Sequence, residues 1–256
     1  MVPVITGHEF CLLGQSLASR QMELEENMNM ALKQMSFKAT DSLAEQIAQH
    51  LGQKVIQGEW KAGERLQELR IAEELQVSRG SVREAFLIME RRHLIDILPR
   101  KGAVVSELSE KHVKGIYEMM VVMLSLLAEK AALNWQEGDL PEFMGFIEKM
   151  RQFIENHQVL EFHEASFYFA TMAYRFSDNP FIPEVLDDLY PSIKRAYYLA
   201  LNLEKEEMIK SHVFFADIME NVAQRNPAGA HIVIKKFGEY QCALVLNALR
   251  KSGSLK

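Results

Sequence analysis

Leu66-Gln-Glu-Leu-Arg-Ile-Ala-Glu-Glu-Leu-Gln-Val-Ser-Arg-Gly-Ser-Val-Arg-Glu-Ala-Phe-Leu-Ile-Met-Glu90 sets two short amphipathic helices about a tight polar turn. Helical spacing puts Leu69, Ala72 and Leu75 on one face of the first helix, and Val82, Ala85, Phe86 and Met89 on one face of the second. Between them Val77 packs inward, and the Ser78 hydroxyl is placed to accept from an orphan amide at the start of the second helix. The pattern predicts a helix-turn-helix. Its second helix opens with Ser78, Arg79, Gly80, Ser81 and Arg83, where such helices meet the DNA major groove.

The residues that follow strengthen this. Leu94-Ile-Asp-Ile-Leu-Pro-Arg-Lys-Gly-Ala-Val-Val105 reads as two short strands around a Pro99–Gly102 turn. A hairpin behind a recognition helix makes a winged helix, with Arg100, Lys101 and Gly102 at its tip, facing phosphates or the minor groove. Upstream, Thr40-Asp41-Ser42 is an N-cap cluster for a helix with apolar face Leu43, Ile47, Leu51 and Ile56, which Gly58 stops.

Charge is distributed to match. The chain of 256 residues has a formal charge of −6, yet residues 78–101 hold six basic and three acidic side chains. Residues 36–106 carry 11 basic and 10 acidic groups, whereas residues 107–256 carry 16 and 21. An acidic remainder discourages indiscriminate binding to phosphates and leaves affinity to a small contact set.

Residues 1–35 are expected to form a flexible extension, residues 36–106 a winged helix-turn-helix DNA-binding domain, and residues 107–256 an all-helical domain. In the last, a helix beginning at Ser109 carries Ile116, Met120, Met123, Leu127 and Ala131 as one stripe. Further helices are expected near 139–157, 159–176, 180–202, 205–224 and 227–250, punctuated by Gly138, Ser177-Asp-Asn-Pro180 and Asn226-Pro227, with a bend at Pro191. The fold class is therefore mainly α, a winged helix plus an antiparallel bundle of about six helices.

Some function classes fall away. The two cysteines, Cys11 and Cys242, form neither a disulfide framework nor a zinc pattern. No apolar run reaches the roughly 18–20 residues that span a bilayer, and the first residues lack the features of a signal peptide. A cytoplasmic protein with no membrane partner is expected. Neither a G-x-S-x-G, a phosphate-cradling glycine loop nor an H-E-x-x-H is present, so no enzyme is expected. The alternative is a helical interaction or scaffold protein with a degenerate winged helix.

Val77-Ser-Arg-Gly-Ser-Val-Arg-Glu-Ala85 and Pro99-Arg-Lys-Gly-Ala-Val-Val105 resemble the recognition helix and wing of GntR-type transcription regulators of the FadR subfamily. Asn179-Pro180 and Ser211-His212 are secondary matches, and the resemblance covers about residues 36–250. It implies a homodimeric repressor on a palindromic operator, with its affinity altered by a small-molecule effector held in the C-terminal domain. Arg79 and Arg83 match operator-contacting arginines, Ser78 and Ser81 backbone-facing hydroxyls, and Gly102 the wing glycine. Gly80 departs from the pattern, either as a tolerated helix-start glycine or to let the backbone approach DNA closely.

Many members of that subfamily hold a divalent metal through Asp-x3-His and two later histidines. Aligned on Asn179-Pro180, Glu164 and Tyr168 stand at the first pair, His212 at the third ligand and Phe237 at the last. One carboxylate and one imidazole beside two aromatics make a poor donor set, so no metal or other cofactor is expected, with Glu164 and His212 the residual candidates. A shift of frame would bring in His163 or His231. Met120 stands where an effector-binding arginine is common. Methionines 119, 120 and 123 then form either ordinary core or a soft apolar lining for an acyl or other apolar acid. Phe162, Phe167, Phe169, Tyr174, Tyr197 and Tyr198 add aromatic surface. Met120, Glu164, Tyr168, Arg195 and His212 are the effector-site candidates, Arg195 and His212 to meet a polar head.

Overall fold

The computed structural model describes residues 42–201 and 205–251; the expectations for residues 1–35 and for Thr40 and Asp41 lie outside the described residues. Helix α1 (Leu43–Ile56) starts where the Ser42 hydroxyl accepts from the Glu45 amide at 3.1 Å. It buries Ile47, Leu51, Val55 and Ile56, but Leu43, in the first turn, is half exposed. Gly58 ends it with φ +76°, a conformation that disfavours side chains with a Cβ. Helix α2 (Glu68–Leu75) closes on Gln76 in the left-handed region. Its inner face is Ile71 and Ala72 with Leu75 partly covered, and Leu69 points to solvent. At about 100° per residue, burying Ile71 rotates Leu69 off the contact. Helix α3 (Arg79–Arg91) buries Val82, Ala85, Phe86 and Met89, as its spacing requires.

Strands β1 (Ile95–Leu98) and β2 (Gly102–Val105) pair antiparallel, with Ile95 opposite Val105 and Leu98 opposite Gly102. Arg100 and Gly102 take left-handed backbone angles in the turn. The segment before α2 adds itself to the outer edge of β2. Arg65 bridges Val104, the Leu66 amide donates to Ala103 O at 2.9 Å, and the Val105 amide donates to Glu64 O at 2.9 Å. This covers an edge that the hairpin would otherwise leave open.

Six helices follow: α4 (Glu110–Asn134), α5 (Leu140–Glu155), α6 (Val159–Met172), α7 (Phe181–Leu201), α8 (Lys205–Ala223) and α9 (Pro227–Lys251), with a 3-10 turn Ala173–Phe176 behind α6. Ser109 caps α4 by accepting from the His112 amide at 3.2 Å. Helix α7 runs through Pro191 as one element. Their interior is aromatic, with Phe143, Phe169, Phe215 and Phe237 meeting at edge or tilted angles. The α4–α9 contact is close: a Cβ built on Gly238 would lie 2.1 Å from Val121 Cγ2. No described helix is long and apolar enough to cross a membrane.

The winged helix and the bundle are joined through α7. Asp188 pairs with Arg91 at 3.1 Å and stands 3.9 Å from Arg92, while Arg92 also holds Glu45 at 2.7 Å. The buried Arg195 donates to Ser106 O at 2.8 Å and to Ser106 Oγ at 3.0 Å. Tyr198 packs on the winged-helix core, and His112 Nε2 lies 3.0 Å from Ser192 Oγ. Burial brings Arg195 down to about 10, so it is still a cation at neutral pH.

Candidate nucleic-acid interface and inner cavity

The start of α3 is built from its own hydroxyls. Ser78 Oγ accepts from the Ser81 amide at 3.0 Å and lies 2.8 Å from Ser81 Oγ, so the cap is doubly tied. A Cβ on Gly80 would meet nothing closer than Ser78 Oγ at 3.6 Å, so packing does not demand the glycine. Its absent side chain leaves a smooth exposed patch beside the two arginines.

Arg79 and Arg83 leave this surface with side chains 60% and 63% exposed, and one carboxylate gathers both. Glu68, on α2, accepts from Arg83 Nη2 at 2.9 Å and Nε at 3.3 Å, and lies 3.9 Å from Arg79 Nη2. The hydrogen bond from Arg83 holds the Glu68 carboxyl below its ordinary value. The guanidinium fork is thus pre-aimed by α2 at the solvent-facing edge of α3. Sequence reasoning missed Glu68, because a pair fifteen residues apart across a turn has no periodic signature. Arg100, Lys101 and Gly102 are exposed at the hairpin tip, and among the described residues no ion pair holds either basic side chain.

A cavity of about 110 Å³ lies inside the bundle, with walls from α4 through α9. Met120 lines it, as do Phe167, Phe169 and Tyr197. The other four effector candidates lie elsewhere. Glu164 pairs with Lys194 at 2.7 Å and with His163 Nδ1 at 3.6 Å. Burial would raise that carboxyl, but the His163 hydrogen bond and the Lys194 charge outweigh it and hold it at about 2. Tyr168 is exposed, against Phe146. Arg195 belongs to the junction with the winged helix, and His212 Nε2 sits 3.0 Å from Ile147 O. Residues that spacing did not single out, Tyr117, Tyr190, Ile193 and Gln241, do line the cavity.

These residues do not fit a metal. The Glu164 carboxylate is taken by Lys194, and the His212 ring nitrogen by a carbonyl. Phe237, a side chain with no donor atom, lines the cavity wall. No group of three or more His, Cys, Asp or Glu is arranged to hold an ion among the described residues.

The family model "Bacterial regulatory proteins, gntR family" matches residues 43–105, and the model "FCD domain" matches residues 115–237. The chain belongs to the GntR family of bacterial regulatory proteins. It is a DNA-binding regulator whose winged helix is joined to an FCD domain, a combination consistent with the FadR-like subfamily. Among curated GntR relatives, the gluconate operon transcriptional repressor of Bacillus subtilis is 27% identical over 175 residues, 68% of this chain and 70% of that protein. The HTH-type transcriptional repressor RspR of Escherichia coli is 23% identical over 189 residues, 73% of this chain and 82% of that protein. Of solved structures, E. coli McbR/YncC shares the fold with a TM-score of 0.69 at 20% identity, covering 81% of this chain and 99% of that one.

Proposed function

We propose that this GntR regulator is a homodimeric repressor that works in the cytoplasm and releases or grips a palindromic operator according to a small molecule held in its inner cavity. Two α3 helices would enter successive major grooves, Arg79 and Arg83 reaching base edges or phosphates, Ser78 and Ser81 meeting the backbone, and Arg100, Lys101 and Gly102 tracking the flanking groove. The repressor names of the relatives support repression rather than activation. Exposed apolar side chains at Met119, Val122 and Leu133 of α4 offer a surface for a second subunit. Catalysis is no part of this reading.

The observation that carries it is the double role of α7. Tyr190, Ile193 and Tyr197 wall the cavity, while Asp188, Arg195 and Tyr198 of the same helix grip the winged helix and its link to the bundle. A ligand that prefers one setting of α7 therefore biases the placement of α3, by no more than its differential affinity for the two settings.

The test is fluorescence anisotropy on a duplex selected from a random library. Arg83→Ala should weaken binding by roughly ten- to a hundredfold while leaving the far-UV circular dichroism unchanged. Wild-type affinity in that variant at moderate salt would remove α3 from the groove.

A further inference from the structure

Apart from Asp139, Ser166 and the Tyr190 hydroxyl, the polar groups of an otherwise aromatic and aliphatic cavity wall fall around Tyr197 and Gln241. Tyr197 OH donates to Ser211 Oγ at 2.9 Å, and Gln241 Nε2 donates to the same oxygen at 3.0 Å. Tyr117, on α4, lines the same cavity. Gln241 Oε1 has no partner, and neither has the Tyr117 hydroxyl. Both residues line the cavity, and they are 2% and 3% exposed. A buried acceptor without a donor is a standing penalty that a bound N–H or O–H would relieve.

Among the described residues, the lining contains no lysine, arginine or histidine. Its one charged side chain, Asp139, is already held by Arg175 at 3.1 Å and by the Gln136 amide at 2.7 Å. Arg175, behind Phe143 and Phe176, is already shared between Asp139 and Glu142, so a carboxylate placed beside Gln241 would be desolvated with no cation in the lining to pair with, an arrangement that proteins avoid.

Resting on the reading of this cavity as the effector site, we infer that its ligand is a compact, uncharged, apolar molecule carrying one hydroxyl or amide N–H. That group donates to Gln241 Oε1 and shares the Tyr117 hydroxyl. The apolar body lies against Phe143, Phe169, Phe215 and Phe237. The volume sets the size. About 110 Å³ is of the order of the roughly 150 Å³ engineered cavity that takes up benzene, so one six-membered ring with a single hydroxyl fills it. An apolar acid, expected from the methionine stripe alone, lacks its counter-charge.

Calorimetric titration of the full-length protein with phenol, toluene and benzoate at pH 7.5 tests this. Phenol should bind about five- to tenfold more tightly than toluene, its near-isostere without the donor, and benzoate about tenfold more weakly than phenol. Tyr117→Phe and Gln241→Leu should each bring phenol towards the affinity of toluene and leave toluene unchanged. Should Gln241→Leu fail to fold, Tyr117→Phe decides alone. Benzoate binding as tightly as phenol, phenol binding untouched by the variants, or no binding of phenol or toluene would each overturn the inference. If phenol binds with the expected pattern but neither it nor a bulkier ring that enters the cavity changes operator affinity, the cavity's regulatory role falls and the ligand class stands.

Discussion

Glu68→Gln is the perturbation that most directly questions how α3 is prepared for DNA. The carboxylate grips the Arg83 fork at 2.9 and 3.3 Å and stands 3.9 Å from Arg79, so one negative charge sits among the groups proposed to meet phosphates and bases. The amide keeps the size and one acceptor but removes the charge. On any duplex, Glu68 both competes for the guanidinium groups and repels the nearest phosphate. Exposed ion pairs shift an equilibrium by up to about fivefold, and each added phosphate contact steepens the salt dependence by about 0.9 in log–log slope. Freeing two arginines should therefore raise affinity for a scrambled duplex by about three- to tenfold at moderate salt and steepen its slope by about one to two.

The selected operator should gain less, because Glu68 also fixes the plane of the Arg83 fork, and a freed guanidinium must be ordered again on the base edge. The ratio of specific to nonspecific affinity should fall. Anisotropy titrations of both duplexes at several potassium chloride concentrations give affinity and slope together. An unchanged slope and unchanged scrambled-duplex affinity would show that Glu68 does not restrain these arginines and that the pre-aimed fork plays no part in recognition.

Gly238→Ala should overpack the α4–α9 contact, where the new methyl would fall 2.1 Å from Val121 Cγ2, lowering stability by about 1–3 kcal/mol and Tm by roughly 2–12 °C. Gly145→Ala on the exposed face of α5, with nothing within 4 Å, should instead raise stability by up to about 1 kcal/mol in the same scanning calorimetry. Asp188→Asn removes the charge that holds Arg91 and Arg92, so limited proteolysis should cut residues 106–109 faster and ligand should move operator affinity less. Burial, then the His93 and Arg195 charges, lower the His112 pKa against a smaller opposing pull from Asp96. The folded protein thus favours the neutral ring: this stability is present above the ordinary value of 6.5 and lost as pH falls through the lowered one. Tm should drop more between pH 7 and 5.5 in wild type than in His112→Asn.

The sequence was most readable where local rules and packing coincide. The i, i+3, i+4 spacing of Val82, Ala85, Phe86 and Met89, the Ser78 cap and the Pro99–Gly102 turn each act within a few residues, and each has its counterpart in the fold. Leu43 and Leu69 show where that logic stops: hydrophobicity marks a candidate face, but the neighbouring helix decides which side chains it covers. The pairing of Arg65 with Val104 was hidden for a related reason, since a bridge of one residue has no alternation to detect. The cavity was harder still. Phe167 and Phe169 line it while Tyr168 between them faces solvent, so an alignment shifted by one residue turns a wall into a surface. Gln241 and Tyr117 stand out only because their polar atoms lack partners, a property of three-dimensional packing.

The same geometry limits what a ligand can do. Any molecule small enough for about 110 Å³ that leaves Tyr190, Ile193 and Tyr197 where they are would bind both settings of α7 equally and shift nothing, however tight its binding. Regulation requires a ligand that favours one position of those three side chains. Because α7 also holds Arg91, Arg92 and Ser106, its displacement must strain or relax those contacts. Affinity and regulatory power should therefore diverge along a series of ring substituents. Phenol, which fits the resting cavity, should bind well and regulate little. A ring bulky enough to displace Ile193 should bind less tightly yet change operator affinity within the roughly 5- to 150-fold range typical of coupled sites. If regulatory effect simply tracked affinity across that series, α7 would not be the coupling element.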